Sequence, residues 1–122
     1  PRNNNPVSNL REKNLLLKPV TQMALAHVAL MAQRKEISWD SVVGKLNHID
    51  WSFNNELWFN ILVIGSANKK MITGKDSIRS AGMVIAYMVM GNQMTRSEVD
   101  DVRQIIRNAR NDDSAALPRM IP

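Results

Sequence analysis

The chain has 122 residues, a formal net charge of +5 and no cysteine. This length suits one domain with its own core, and the missing cysteine excludes disulfides, thiolate metal ligands and a cysteine nucleophile. The charge favours nucleic acid or another polyanion as partner, although many ordinary domains carry a similar charge. No apolar run approaches the roughly 18 residues of a membrane helix and no signal peptide is visible, so we expect a cytoplasmic protein without membrane contact.

The two ends of the chain differ from its middle. The prolines lie at positions 1, 6, 19, 118 and 122, so residues 20–117 lack the strongest helix breaker. The Asn-rich start over 1–9 is typical of a linker or disordered segment. Without an initiator methionine, the chain is either a processed product or a piece of a longer protein, and the linker-like start favours a piece. We predict a helical domain over 10–111 and a tail over 112–122 that is mobile or packs only in a larger assembly.

Three helices are predicted in the first half of this domain. A short one occupies Leu10–Leu17 and ends before Pro19, because a proline drives the preceding residue out of helical geometry. The next helix spans Val20 to about Lys35, a stretch rich in strong helix formers, and its last residues are cations, which a helix C-terminus favours. Ser38 is a good N-cap for the third. Its apolar residues recur at helical spacing at Trp39, Val42, Val43, Leu46 and Ile49.

The apolar run ELWFNILVIG, residues 56–65, leaves two alternatives open. Periodicity alone does not assign it to a helix or a strand. Gly65, Ser66 and Asn68 suggest a turn, after which KKMIT could return as a second strand. We therefore predict a short β-hairpin near residues 60–73, and a helix through Glu56–Ile64 is the alternative.

Two further helices are predicted in the second half. Asp76 or Ser77 caps a long helix that follows Gly74 and runs to Met90, and Gly91 is the expected stop. Thr95 and Glu98 then form the S/T-x-x-E capping-box pattern ahead of the last helix. The fold class is thus predicted as mainly α: a small domain of about five helices in which the hairpin is the one β element.

Two of the helices have almost no polar face. Between Met23 and Ala32 only His27 is strongly polar, and between Ala81 and Met90 only Tyr87 brings a polar atom. A helix that is apolar all round needs cover on most of its surface. The cover is either the domain's own core or another surface, which would belong to a second copy in a homo-oligomer or to a missing N-terminal domain.

The remaining chemistry-bearing residues favour structural roles. His27 and His48 lack the spacing of a metal site, so a core or boundary position is expected for His27. Clustered aromatic residues between Trp39 and Phe59 are expected in the core, although such residues can also stack bases. No nucleophile–base pair is visible, so we expect no enzyme, and no catalytic, cofactor-binding or metal-binding residue is predicted.

One group of cations lies around the turn before the long helix. Its members are Lys69, Lys70, Lys75 and Arg79. They gather near a helix N-terminus, whose free N–H groups and positive dipole end favour anions. The sequence is not a Walker A loop, because Asp76 follows the lysine and the glycine spacing is wrong. NTP hydrolysis is therefore not expected. The turn is either a hydrated helix end, where Asp76 already supplies negative charge, or a contact with a DNA backbone.

A second group of cations lies on the last helix. Arg96, Arg103, Arg107 and Arg110 are spaced by 7, 4 and 3 residues. Helical geometry places them on one stripe, opposite an apolar face. The stripe is either the solvated side of an amphipathic helix or a face that follows phosphates. We take these arginines, with the first group, as the candidate nucleic-acid contacts.

Two long segments together resemble a known family. They read SWDSVVGKLNHIDWSFNNELWFNILV and KKMITGKDSIRSAGMVIAYMVMG. Their shared pattern, W-x-x-V-x-x-x-L-x-x-I-D-W-S and then G-K-x-x-I-R-x-A-G, resembles the C-terminal part of the DNA sulfur modification protein DndB and its DGQHR-domain relatives. The family's D-G-Q-H-R signature is absent here. The resemblance implies a role in bacterial DNA phosphorothioation or phage-defence loci, with double-stranded DNA as partner and transcriptional control as the activity.

Overall fold

The computed structural model describes residues 14–65 and 70–122. Four α-helices are present in these ranges: α1 (Pro19–Arg34), α2 (Trp39–Leu46), α3 (Lys75–Met90) and α4 (Arg96–Arg110). Two short strands, β1 (Val63–Ile64) and β2 (Lys70–Met71), pair in antiparallel register. Single 3-10 turns lie at Leu15–Leu17, Glu56–Trp58 and Gly91–Gln93. The predicted fold class, mainly α with one short hairpin, is confirmed.

The core is built around α3. From Ala81 to Met90 every residue except Met83 is buried. α1 packs along α3 more extensively than any other pair of helices in the described ranges. The two helices approach closely at Gly82, where a Cβ would lie 3.1 Å from the Cβ of His27 and 3.2 Å from the carbonyl oxygen of Ala24. For α3, the first of the two alternatives left open by the sequence therefore holds, because the domain's own core covers it.

α1 is covered on one side only. Its buried residues are Val20, Thr21, Ala24, Val28 and Ala32. On the opposite side Met23 is 53% exposed and Leu30 is 44% exposed. The two helices with similar apolar composition thus differ, because α3 is surrounded by the domain whereas the outer face of α1 is open.

The segment before α1 departs from its predicted helix. Only one 3-10 turn, Leu15–Leu17, lies in the described part of that segment, and residues 1–13, which include the predicted linker, lie outside it. Asn14 is extended and bridges to Ser52, and the Leu15 N–H donates to the Trp51 carbonyl at 2.7 Å. Pairing with this distant loop replaces the local hydrogen bonds that a helix would need.

The N-cap of α3 differs from the prediction, whereas its last residue agrees with it. The N-cap is Gly74, with φ of 132°, so neither Asp76 nor Ser77 caps the helix. The Ser77 hydroxyl instead donates to the Ile61 carbonyl at 2.6 Å, which ties the helix to the segment before β1. At the other end the helix stops after Met90 with Gly91 as its C-cap, as predicted. Gly91 is not left-handed, however; it has φ of −55° and begins a 3-10 turn.

The loop before the hairpin contributes two tryptophans to the core. Trp51 and Trp58 stack with ring centroids 5.4 Å apart, and Trp58 is completely buried. The Trp58 indole N–H donates to the Asp50 carbonyl at 3.0 Å. Because only Glu56–Trp58 is helical before β1 begins, the hairpin prediction is confirmed and the continuous helix through Glu56–Ile64 is wrong. Trp39, at 41% exposed, does not take the core position expected of it.

The C-terminal part closes the domain. The Thr95 hydroxyl accepts from the Glu98 N–H, and the Glu98 carboxylate accepts from the Thr95 N–H, so the predicted capping box is present. After α4 the chain returns to the core, where the Ile121 N–H donates to the Met88 carbonyl at 2.8 Å. Leu117 and Ile121 pack on the core cluster. The residues predicted as a loose tail thus cover the same domain.

Candidate nucleic-acid interface

Three exposed cations lie at the start of α3 or just before it in the chain. Lys75 and Arg79 are four residues apart, so they lie on the same side of the helix, and Lys70 lies just before them on β2. All three are exposed. Lys69, the fourth member predicted for this group, lies outside the described residues. We call Lys70, Lys75 and Arg79 the basic edge.

The basic edge is weakly neutralised. Among the described residues Lys70 and Lys75 form no ion pair. The Arg79 guanidinium lies 3.8 Å from the Asp101 carboxylate, and its side chain is 61% exposed. Exposed pairs of this length contribute little free energy because water screens both charges. The Lys70 and Lys75 ammonium groups therefore remain available to another anion, whereas Arg79 lines a cleft with the carboxylates of Asp76 and Asp101.

The arginines of α4 are used differently. Arg110 donates from its two terminal nitrogens to the carbonyls of Phe59, at 3.0 Å, and Leu57, at 2.9 Å. Arg103 lies 2.7 Å from the Asp100 carboxylate. The Arg107 Nε is buried without a hydrogen-bond partner in the described part of the chain. Of these four arginines, only Arg96 at the first position of α4 is exposed, and it forms no hydrogen bond or ion pair through its side chain within the described residues.

The two predicted groups of cations lie on opposite sides of α4. Asp101 faces α3, since it contacts Arg79. Arg110 faces the loop that contains Leu57 and Phe59. Asp101 and Arg110 are nine residues apart, and nine steps of about 100° amount to about two and a half turns. The basic edge and the C-terminal part of the arginine stripe therefore do not form one continuous surface.

A further cation near the basic edge was not among the predicted contacts. Arg34, at the end of α1, is exposed and lines a cleft of about 410 Å³ together with Arg79. His27, Leu30 and Met83 lie in the same cleft. Sequence patterns marked Arg34 only as a cation at a helix end, because its approach to α3 depends on how the two helices pack.

A short ion pair crosses the end of this cleft. The Lys35 ammonium lies 2.7 Å from the Glu98 carboxylate. Partial burial acts to raise the pKa of Glu98, but the Lys35 hydrogen bond and the Thr95 N–H together hold that pKa below its ordinary value of 4.5. Lys35 is thus neutralised within the fold, whereas Arg34 forms no ion pair within the described residues.

Both histidines lie on the surface. His27 is exposed in the cleft rather than buried at the core, and His48 is exposed on the surface. The described ranges contain no group of three or more His, Asp or Glu residues that could hold a metal ion.

None of the described helices is long and apolar enough to cross a membrane. The chain matches no protein-family model, no curated protein and no solved structure at a significant level.

Proposed function

We propose that the chain is a DNA-associated regulatory module that contacts duplex phosphates through the basic edge. The observation that carries this proposal is the pair Lys75 and Arg79, which occupy successive turns of α3 and are exposed to solvent with no short ion pair. The resemblance supplies the setting, because its G-K-x-x-I-R pattern contains both cations. The setting is a cytoplasmic bacterial system of DNA sulfur modification or phage defence.

The physical basis is electrostatic and independent of base sequence. Each phosphate that a lysine or arginine neutralises releases a condensed counterion, so affinity falls as salt rises. Three contacts, by Lys70, Lys75 and Arg79, predict a slope of about −2.7 for the logarithm of the association constant against the logarithm of salt concentration. Such a module adds affinity for the DNA backbone, and other parts of a regulator would have to recognise the base sequence.

The direct test is to titrate a labelled duplex at about 50 and about 200 mM salt, the range over which phosphate contacts lose affinity steeply. Lys75→Gln and Arg79→Gln are each expected to weaken binding and to reduce the slope by about one unit. Arg103→Gln is the matched control, since its charge is paired with Asp100. An equal loss in the control, or no salt-dependent binding by the unmodified protein, contradicts the proposal.

A second candidate function is favoured by the open face of α1. A protein-interaction or dimerisation module without nucleic-acid contact would use exposed apolar side chains, and Met23 and Leu30 supply two on one side of a helix. Contiguous exposed apolar surface commonly marks a contact site. Light scattering over a range of concentrations tests the dimeric form: a mass that rises with concentration and falls in Leu30→Gln supports it, and a constant monomer mass opposes it.

A further inference from the structure

The outer face of α1 forms a groove against the start of α3. Met23, Ala26, His27 and Leu30 of α1 line it with Ile78 of α3, around a volume of about 370 Å³. We call these five residues the α1 groove. His27 and Leu30 also line the cleft that contains Arg34 and Arg79, so the groove and the cleft are continuous.

The length of the groove suits a helical segment. Met23 and Leu30 are seven residues apart, about two helical turns or about 10 Å. An amphipathic helix that lies along such a groove presents apolar residues at positions i, i+3 or i+4, and i+7. Most of the exposed lining is apolar, and Ala26 at its middle leaves room for a partner side chain.

The charged side chains beside the groove that form no short ion pair in the described ranges are both arginines. α1 contains no acidic residue, and Arg34 closes its C-terminal end. Arg34 makes no ion pair among the described residues, and Arg79 makes only the long contact with Asp101. Glu98, the acidic residue in the adjoining cleft, is held by Lys35 at 2.7 Å. An occupant that carries carboxylates at this end would meet two available guanidinium groups.

We propose that the α1 groove binds an acidic amphipathic helix of a partner protein. The apolar residues of that helix lie on Met23, Leu30 and Ile78, and its carboxylates pair with Arg34 and Arg79. This proposal rests on the protein-interaction function, the second of the two functions proposed above. It does not depend on DNA binding through Lys70 and Lys75.

The test is a selection of random 14-residue displayed peptides on the 122-residue chain. Peptides that also bind the double variant Met23→Gln, Leu30→Gln are removed; glutamine keeps helix propensity while removing apolar contact. The expected winners combine Asp or Glu residues with apolar residues at helical spacing. A synthetic winner is then titrated, and the double variant and Arg34→Gln are each expected to weaken its binding by about tenfold, as loss of a central contact does.

Two matched controls separate this proposal from the DNA function. Ile64→Thr changes an apolar residue on the hairpin with the same 53% exposure as Met23, and Lys75→Gln removes a charge of the basic edge. Both are expected to bind the peptide as the unmodified protein does. If Lys75→Gln loses DNA but keeps the peptide, the two functions are independent; if DNA binding is absent altogether, the peptide result still stands.

Four outcomes overturn the proposal. Selection that enriches no peptide, or peptides without carboxylates or helical spacing, removes the predicted partner chemistry. Equal binding of a winner by the unmodified protein and by Arg34→Gln removes the predicted ion pair. Self-association that is lost in the double variant assigns the groove to a second copy of the chain instead. Binding to phosphatidylserine vesicles that is lost in the double variant, without peptide selection, assigns it to a lipid surface.

Discussion

Arg110 lies at the end of α4, and its guanidinium holds the loop that precedes the hairpin. It donates to the carbonyls of Leu57 and Phe59. Arg110→Ala leaves two carbonyls without their donor, so we expect the free energy of unfolding to fall by about 2 kcal/mol. Arg103→Ala removes only an exposed ion pair with Asp100 and is expected to cost less than about 1 kcal/mol. Urea unfolding measures both, and equal losses would contradict a structural role for Arg110.

Thr21 is a fully buried residue of α1 whose hydroxyl has no hydrogen-bond partner in the described part of the structure. Burying such a group costs about 1–3 kcal/mol in proteins. Thr21→Val keeps the shape and removes the hydroxyl, so we expect an increase of about 1 kcal/mol in the free energy of unfolding. Thr73→Val, at an exposed threonine, is expected to change it by less than about 0.5 kcal/mol. Destabilisation by Thr21→Val would show that the hydroxyl has a partner.

The roles of single arginines were only partly predictable. The spacing of Arg103, Arg107 and Arg110 identifies one side of a helix from local sequence alone. The acceptors of Arg110 lie 51 and 53 residues away in the chain, however. No local pattern reports such a contact, so the sequence indicated a free cation where the structure has a bound one.

At the level of whole elements, the Lys35–Glu98 pair joins the end of α1 to the start of α4. The pKa of Glu98 is lowered below 4.5 in the folded protein. The pair therefore stabilises the fold above about pH 4.5, and that contribution is lost as pH falls through the folded pKa. Glu98→Gln is expected to unfold more easily than the unmodified protein at neutral pH and to approach it in acid. Lys35→Met is expected to behave likewise.

Chemical denaturation at several pH values measures this dependence. The comparison is between the unmodified protein and each variant at the same pH. A difference in unfolding free energy that stays constant from neutral pH into acid would show that Glu98 is not stabilised by Lys35. A difference that grows in acid would have the wrong sign for a lowered pKa.

Elements that depend on neighbouring residues were predicted well. The capping box at Thr95 and the return of the chain after Gly65 follow from short-range hydrogen bonds and turn preferences. The N-cap residue of α3 was predicted wrongly. The Ser77 hydroxyl donates to the Ile61 carbonyl instead of capping the helix. The different burial of α1 and α3 was also beyond the sequence, since both are equally apolar and only packing decides which one is enclosed.

At the scale of the whole molecule, the exposed cations and the exposed apolar side chains of α1 and α3 form two different surfaces. The basic edge holds Lys70, Lys75 and Arg79, and the α1 groove holds Met23 and Leu30. Arg79 also lines the cleft that is continuous with the groove. The sequence identified both groups of cations, and it left open whether the domain itself covers its two apolar helices. It did not predict that α4 would separate the two cation groups, because that depends on which side of α4 meets α3.

The most direct test is to map a short duplex onto the isotope-labelled protein by amide chemical-shift changes. We predict that the largest changes fall at Lys70, Lys75 and Arg79, that they shrink as salt rises, and that Arg103 and Arg110 on the other side of α4 stay unchanged. Changes centred on Arg103 and Arg110, or no changes at low salt, would contradict the claim that the basic edge is the DNA contact.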